Sequence, residues 1–135
     1  MKILILGING MIGSTIFNEL SKNRDIQILG TLRRKEEKNN FKSSLQKNII
    51  ILKNLNNIRF IINKFKPKVL INCIGITKHR SEINDFQNTI FVNSILPHNL
   101  SDICLSLNVR LIHISTDCVF LGDKGNYCDY DNTDA

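Results

Sequence analysis

The sequence predicts an α/β protein built on a doubly wound parallel sheet with five strands. Three observations carry that prediction. Short apolar runs recur five times, separated by helix-period or polar segments. Each connection is long enough to hold a crossover, which parallel neighbours require and hairpins do not. The first apolar run, Lys2 to Leu6, opens directly onto Gly7, Gly10 and Gly13, three glycines spaced three apart.

The glycine spacing has a physical reading at each position. Gly7 lets the chain leave the strand in a sharp turn, Gly10 lets backbone approach a bound group closely, and Gly13 lets the following helix lie against the strand. Free amides at the start of that helix, on its positive end, then face an anion. A strand, tight turn and helix of this kind predict a Rossmann-type domain that holds the pyrophosphate of a dinucleotide, with Gly7, Asn9, Gly10, Met11, Ile12 and Gly13 around it.

Along the first helix, to about Lys22, Ile12, Ile16 and Leu20 recur every four residues and predict a stripe buried against the sheet. Ile26 to Thr31 is the second strand. At the end of that strand an Asp or Glu would accept from the ribose 2′-hydroxyl of NAD. Here the chain reads Gly30-Thr31-Leu32-Arg33-Arg34, with no acid until Glu36. A guanidinium forks onto a 2′-phosphate that a carboxylate would repel, so the expected cofactor is NADP, held first by Arg33 and second by Arg34, with NAD as the alternative. The plainer reading is that these arginines only open the basic surface that follows.

Lys35 to Lys47 is polar and poorly periodic, a loop or weak helix. Asn48 to Leu52 is the third strand. Leu55, Ile58, Ile62 and Phe65 mark a helix that must stop before Pro67. Lys68 to Gly75 is the fourth strand, and its end at Cys73, Ile74 and Gly75 is expected to line the cofactor through backbone, across the switch point from the first strand. Glu82 to about Leu107 reads as a long helical stretch kinked or split near Pro97. Arg110 to Ser115 is the fifth strand and delivers Ser115, Thr116 and Asp117 to the same edge. An acidic, looped tail follows.

Composition narrows the function classes. A chain of 135 residues with 42% hydrophobic residues is a single domain with a real core. Neither a membrane-length apolar run nor a signal peptide is read, so a cytoplasmic protein without a membrane partner is expected. The net charge of +6 is concentrated between Lys22 and Arg80, while Asp117, Asp123, Asp129, Asp131 and Asp134 make the tail acidic. Net charge alone is a weak argument for nucleic acid, and without a recognisable module no nucleic-acid partner is expected. Cys73, Cys104, Cys118 and Cys128 form no C-x-x-C pair, and His79, His98 and His113 show no ligand spacing with them. Buried reduced thiols and no metal are therefore expected.

Taken together, Gly7-x-x-Gly10-x-x-Gly13, the Val69 to Gly75 strand, Asn93-Ser-Ile-Leu-Pro-His98 and Ile114-Ser-Thr-Asp-Cys-Val-Phe120 resemble the extended short-chain dehydrogenase/reductase superfamily. Within it the sequence is most similar to the dTDP-4-dehydrorhamnose reductase group and related sugar-nucleotide reductases. The resemblance covers essentially the whole chain. It implies hydride delivery from a nicotinamide to a keto carbon of a nucleotide-activated sugar, in deoxysugar or surface-polysaccharide biosynthesis. A tyrosine would give the proton and a lysine would lower that tyrosine's pKa. It also implies that Thr116 hydrogen-bonds the reacting oxygen, that Asp117 lies in the substrate site, and that Asn93 helps hold a water chain to the lysine. From pattern alone, Asn93 would be a polar helix residue.

Two departures accompany the resemblance. The family's Tyr-x-x-x-Lys pair is expected a few residues beyond Asp131-Asn-Thr-Asp-Ala135, and neither Tyr127 nor Tyr130 has a lysine four residues on. The chain is therefore expected to be an amino-terminal portion, an incomplete NAD(P)-binding domain without the substrate lobe and inactive alone. Apolar surface left along one sheet edge would favour self-association. Cys118 stands where dehydrorhamnose reductases commonly carry tyrosine, which leaves other deoxy or acetamido sugars open. The remaining alternatives are a non-catalytic binding or regulatory protein of the same fold, and an epimerase or dehydratase.

Overall fold

A computed structural model of the chain describes residues 1–77, 85–116 and 119–134. Its elements are β1 (Lys2–Leu6), α1 (Met11–Leu20), β2 (Gln27–Leu32), β3 (Ile49–Ile51), α2 (Ile58–Phe65), β4 (Val69–Asn72), α3 (Phe86–Ile90), α4 (Leu96–Ser106) and β5 (Arg110–His113). The five strands form one sheet in the order β3-β2-β1-β4-β5, and every pairing is parallel. The doubly wound architecture expected from the sequence is what the chain adopts.

Alternation along β1 divides the core. Ile3 and Ile5 point to one face with Ile8, Phe17, Ile28, Phe41 and Ile71; Leu4 and Leu6 point to the other with Ile58, Ile62, Leu70, Leu96, Leu100 and Cys104. Strand order reverses at β1, so right-handed crossovers put α1 on the first face and α2 and α4 on the second. A sheet covered on both sides explains why the strands read as continuous apolar runs rather than alternating ones.

Of the stripe expected on α1, Ile16 and Leu20 pack partly buried against the core and Ile12 does not. The buried residues of the helix are Gly13 and Phe17, whereas Ile12 is 45% exposed. The helix has rotated so that its closest approach to the sheet is made at the residue without a side chain. Phe17 then meets Phe41 edge to face, with ring centroids 5.5 Å apart. Gly30 accommodates that packing: a methyl there would lie 2.6 Å from Ile8 Cδ1 and 2.9 Å from Phe17 Cε2.

The polar stretch after β2 contains two 3-10 turns, Glu36–Asn40 and Gln46–Asn48. Helix α2 ends at Lys66, whose φ of 54° is left-handed, immediately before Pro67. The long helical stretch is interrupted just before Pro97 without being split, with a π-turn at Phe91–Ile95 joining α3 to α4. Pro97 has no N–H to give the carbonyl of Asn93, and its ring would crowd that oxygen in a regular helix. The part of the expected stretch at 82–84 lies outside the described residues.

The fourth and fifth strands are shorter than their apolar runs. β1 turns away at Gly7, so β4 has nothing to pair with beyond Cys73, whose N–H donates to Leu6 O at 3.1 Å. β5 ends similarly, with one last bond from Ile114 N to Asn72 O at 3.1 Å. Cys104 is buried and Cys73 half-buried, but Cys128 is exposed, because the tail that carries it is a surface loop rather than core. Burial pushes the Cys73 and Cys104 thiols up, which keeps them protonated and unreactive at neutral pH. Among the described residues, no helix is long and apolar enough to cross a membrane.

Candidate nucleotide site at the carboxyl edge of the sheet

The turn from β1 into α1 is built from backbone. Gly7 has φ of +76°, a conformation that side chains resist. A methyl on Gly13 would sit 2.3 Å from Gly7 O, so only glycine lets the helix start this close to the strand. Gly10 N–H donates to Gly7 O at 3.3 Å and closes the turn. A methyl on Gly10 would meet nothing closer than Gly7 O at 3.7 Å. The fold itself therefore does not require glycine at position 10.

Gly10 is also the N-cap of α1, and no side chain caps the helix. The amides of Met11, Ile12 and Gly13 have no carbonyl in the preceding turn to bond, as at any helix start. Met11 and Ile12 are exposed there. The positive end of a helix with no acidic residue in its first turn is compatible with an anion.

Neighbouring strand ends fix this turn. Gly7 N–H donates to Thr31 Oγ1 at 3.2 Å, and Ile8 N–H donates to Thr31 O at 3.1 Å. Thr31 is only 3% exposed, and its hydroxyl joins the glycine turn to the end of β2. Arg33 and Arg34 follow at the surface. The next turn folds back: Glu37 accepts from Asn9 Nδ2 at 3.2 Å through one carboxylate oxygen and from Arg34 N at 3.1 Å through the other.

On the other side, a methyl on Gly7 would lie 2.9 Å from Ile74 Cγ1 and 3.3 Å from the carbonyl of Cys73, so the chain beyond β4 abuts the glycine turn. Asn72, fully buried, orders that segment. Its Oδ1 accepts from Ile74 N at 3.2 Å, and its Nδ2 lies 3.1 Å from His113 Nδ1 on β5. With the Asn72 amide nitrogen donating, His113 carries its own proton on Nε2. Asn93, in the π-turn, holds Ile76, two residues beyond Ile74, by both backbone groups: Ile76 N donates to Asn93 Oδ1 at 2.9 Å, and Asn93 Nδ2 donates to Ile76 O at 2.8 Å. A π-turn at such a clamp reorients one side chain without ending the helix.

Most residues expected from the sequence thus gather along one edge. The glycine turn with Asn9, Met11 and Ile12 lies centrally, Arg33 and Arg34 lie to one side, and Cys73, Ile74 and Gly75 lie to the other, with Asn93 fastened to the chain beyond them. Ser115 and Thr116 follow β5 just past Ile114, and β4 separates that strand from β1. Asp117 and Cys118 lie outside the described residues. Thr31, Asn72 and Glu37 were not expected as site residues. A buried threonine or asparagine at a strand's end gives no periodic signal, and Glu37 is brought back only by a turn that the polar stretch did not reveal.

A parallel 3-2-1-4-5 sheet with an uncapped, glycine-lined helix start at its reversal point defines the Rossmann-type class of α/β proteins. Within that class the chain belongs to the RmlD substrate binding domain family, whose model matches residues 1–135.

Solved structures agree in fold. The chain is 28% identical to a dTDP-4-dehydrorhamnose reductase from Clostridium acetobutylicum, with a TM-score of 0.75 over 99% of this chain and 43% of that one. A dTDP-4-dehydrorhamnose reductase from Bacillus anthracis, in complex with NADP, is 23% identical with a TM-score of 0.66, over 90% of this chain and 38% of that one. A mutant UDP-glucuronic acid 4-epimerase from Bacillus cereus, in complex with a UDP-sugar and NAD, is 23% identical with a TM-score of 0.78, over 96% of this chain and 45% of that one. The chain therefore spans less than half the length of these proteins. No curated protein matches the sequence.

Proposed function

We propose that the chain is the NAD(P)-binding portion, residues 1–135, of an NADP-dependent reductase acting on a nucleotide-activated 4-keto sugar, in deoxysugar or surface-polysaccharide biosynthesis. The observation that carries this reading is the backbone cradle at Gly7 to Gly13. It has room at Gly10, an uncapped helix start, and a wall formed by Cys73 and Ile74. A pyrophosphate suits that cradle, and the bound nicotinamide would supply the hydride. Family membership and the UDP-sugar bound by the epimerase structure support the substrate class, and the NADP and NAD of the reductase and epimerase structures support a nicotinamide cofactor.

In this reading Arg33, and then Arg34, meet the 2′-phosphate; Cys73, Ile74, Gly75 and Ser115 border the cofactor through backbone. Thr116 binds the sugar's reacting oxygen, with Asp117 beside the sugar. Asn93 acts as a positioning residue through its hold on Ile76, consistent with a water chain toward a lysine. Neither described tyrosine is placed as the proton donor: Tyr127 Oη already donates to Asp134 and accepts from Gly122 N. The 135-residue chain should then bind nucleotide without turning over substrate. A UDP-sugar epimerase role is the second reading, favoured by the equally good backbone match to the epimerase.

Calorimetric titration of NADP and NAD into the wild type and Arg33→Asp tests the cofactor assignment. NADP is expected to bind more tightly to the wild type, and the substitution should weaken NADP by about 10- to 100-fold, the worth of a charge-assisted hydrogen bond, while sparing NAD. An unchanged ratio would reduce Arg33 to a surface residue. Turnover of a keto-sugar nucleotide by this chain alone would show that the proton donor has been misplaced.

A further inference from the structure

The geometry points to Glu37 as a specificity-determining residue of the dinucleotide site, one that opposes the NADP preference created by Arg33 and Arg34. This inference rests on the dinucleotide reading above. In that reading the adenosine ribose lies between the glycine turn and the end of β2. The structure places a carboxylate there. Glu37 spans the gap, accepting from the Asn9 side chain at 3.2 Å on the glycine turn and from the Arg34 amide at 3.1 Å just beyond β2.

In that reading the two donors that Glu37 engages flank the ribose 2′-substituent, so Glu37 and a 2′-phosphate contend for one position. A 2′-hydroxyl can donate to the carboxylate and leave both tethers in place. A 2′-phosphate brings at least one negative charge against it and must displace it from Asn9 and Arg34 before the guanidiniums can close. The strand-end acid that usually selects NAD is missing from β2, yet a carboxylate reaches the equivalent place from the 3-10 turn Glu36–Asn40. Basic and acidic groups therefore act on the same substituent, and the chain should accept both cofactors with only a modest margin for NADP.

The test compares the dissociation constants of NADP and NAD for the wild type and Glu37→Gln, at low and high salt, with circular dichroism to verify folding. Removing one charge at a partly screened site should raise the preference for NADP over NAD by about tenfold at low salt, and added salt should narrow the difference between the two proteins. If Glu37 is only a loop tie, Glu37→Gln will weaken or spare both nucleotides equally. That result, with both cofactors bound, overturns the role of Glu37 and leaves the dinucleotide site standing. Failure of the wild type and the variant to bind either nucleotide overturns the site reading and this inference with it.

Discussion

Gly10 and Gly13 stand three residues apart in one turn, yet they do different jobs, and substitution should separate them. Alanine at position 13 drives a methyl to 2.3 Å from Gly7 O, a backbone atom with no rotamer to yield. Gly13→Ala should therefore lower stability by about 1–3 kcal/mol, the usual cost of overpacking, and lose nucleotide binding as the turn shifts. Alanine at position 10 meets only ordinary contact at 3.7 Å. Gly10→Ala should melt like the wild type and still bind NADP poorly, because its methyl occupies space left for the pyrophosphate. Thermal melts beside titrations read both effects, and a Gly10→Ala protein that binds normally would remove the cradle's claim on phosphate. The glycine requirement at 7 and 13 was legible because spacing encodes it. Gly30 was not, since its demand comes from Ile8 and Phe17, which reach it only after α1 packs on the sheet. Thr31 and Asn72 escaped notice for the same reason: their partners, Gly7 and His113, are distant in sequence.

At the scale of elements, strands were easier to read than the joints between them. Apolar runs located all five strands, but their ends depend on when a neighbour stops pairing, which no single run records. Pro97 marked a break in the long helix, and its outcome as a π-turn carrying Asn93 depends on the hold of Asn93 on Ile76. The 119–134 loop shows another kind of joint, in which side chains add to backbone bonds from Asp134 N to Val119 O and from Asp131 N to Cys128 O. Phe120 stacks on Tyr127 with centroids 4.4 Å apart, Leu121 N donates to Asp134 Oδ1 at 2.7 Å, and Lys124 pairs with Asp131. Lys124, then the Cys128 amide at 2.8 Å, hold the Asp131 carboxyl below its usual value of 3.8. A depressed carboxylate favours the folded loop above that ordinary value and loses its contribution as pH falls through the lower folded one. The Cys128 amide resonance should therefore shift as the loop loosens only below the ordinary carboxylate value of 3.8, with the rest of the sheet unmoved. Asp131→Asn should abolish that transition and leave the loop loose at neutral pH. A Cys128 resonance that titrates identically in both proteins would assign the transition to another carboxylate.

For the molecule as a whole, the two faces of the sheet are unequally covered. On the face that carries α1, Ile3, Ile5 and Ile71 are buried, but Ile112 of β5, level with Ile71 through the parallel register, is 38% exposed. No helix among the described residues covers it, and α4 packs on the opposite face with Leu111. β5 is also an outer strand of the sheet, so its outward backbone groups are open to pairing. An exposed apolar side chain beside an open strand edge gives two copies a way to bury both at once, while the charge of +6 opposes their approach. Self-association of the 135-residue chain should therefore grow with protein concentration and also with salt, which screens the repulsion but not the apolar contact. Ile112→Lys places a charge at the centre of that edge and should keep the chain monomeric under the same conditions, a standard way for an outer strand to discourage pairing. Sedimentation equilibrium of both proteins at low and high salt reads the difference. A wild type that stays monomeric throughout, or a variant that associates equally well, would show that the β5 edge is not where copies meet.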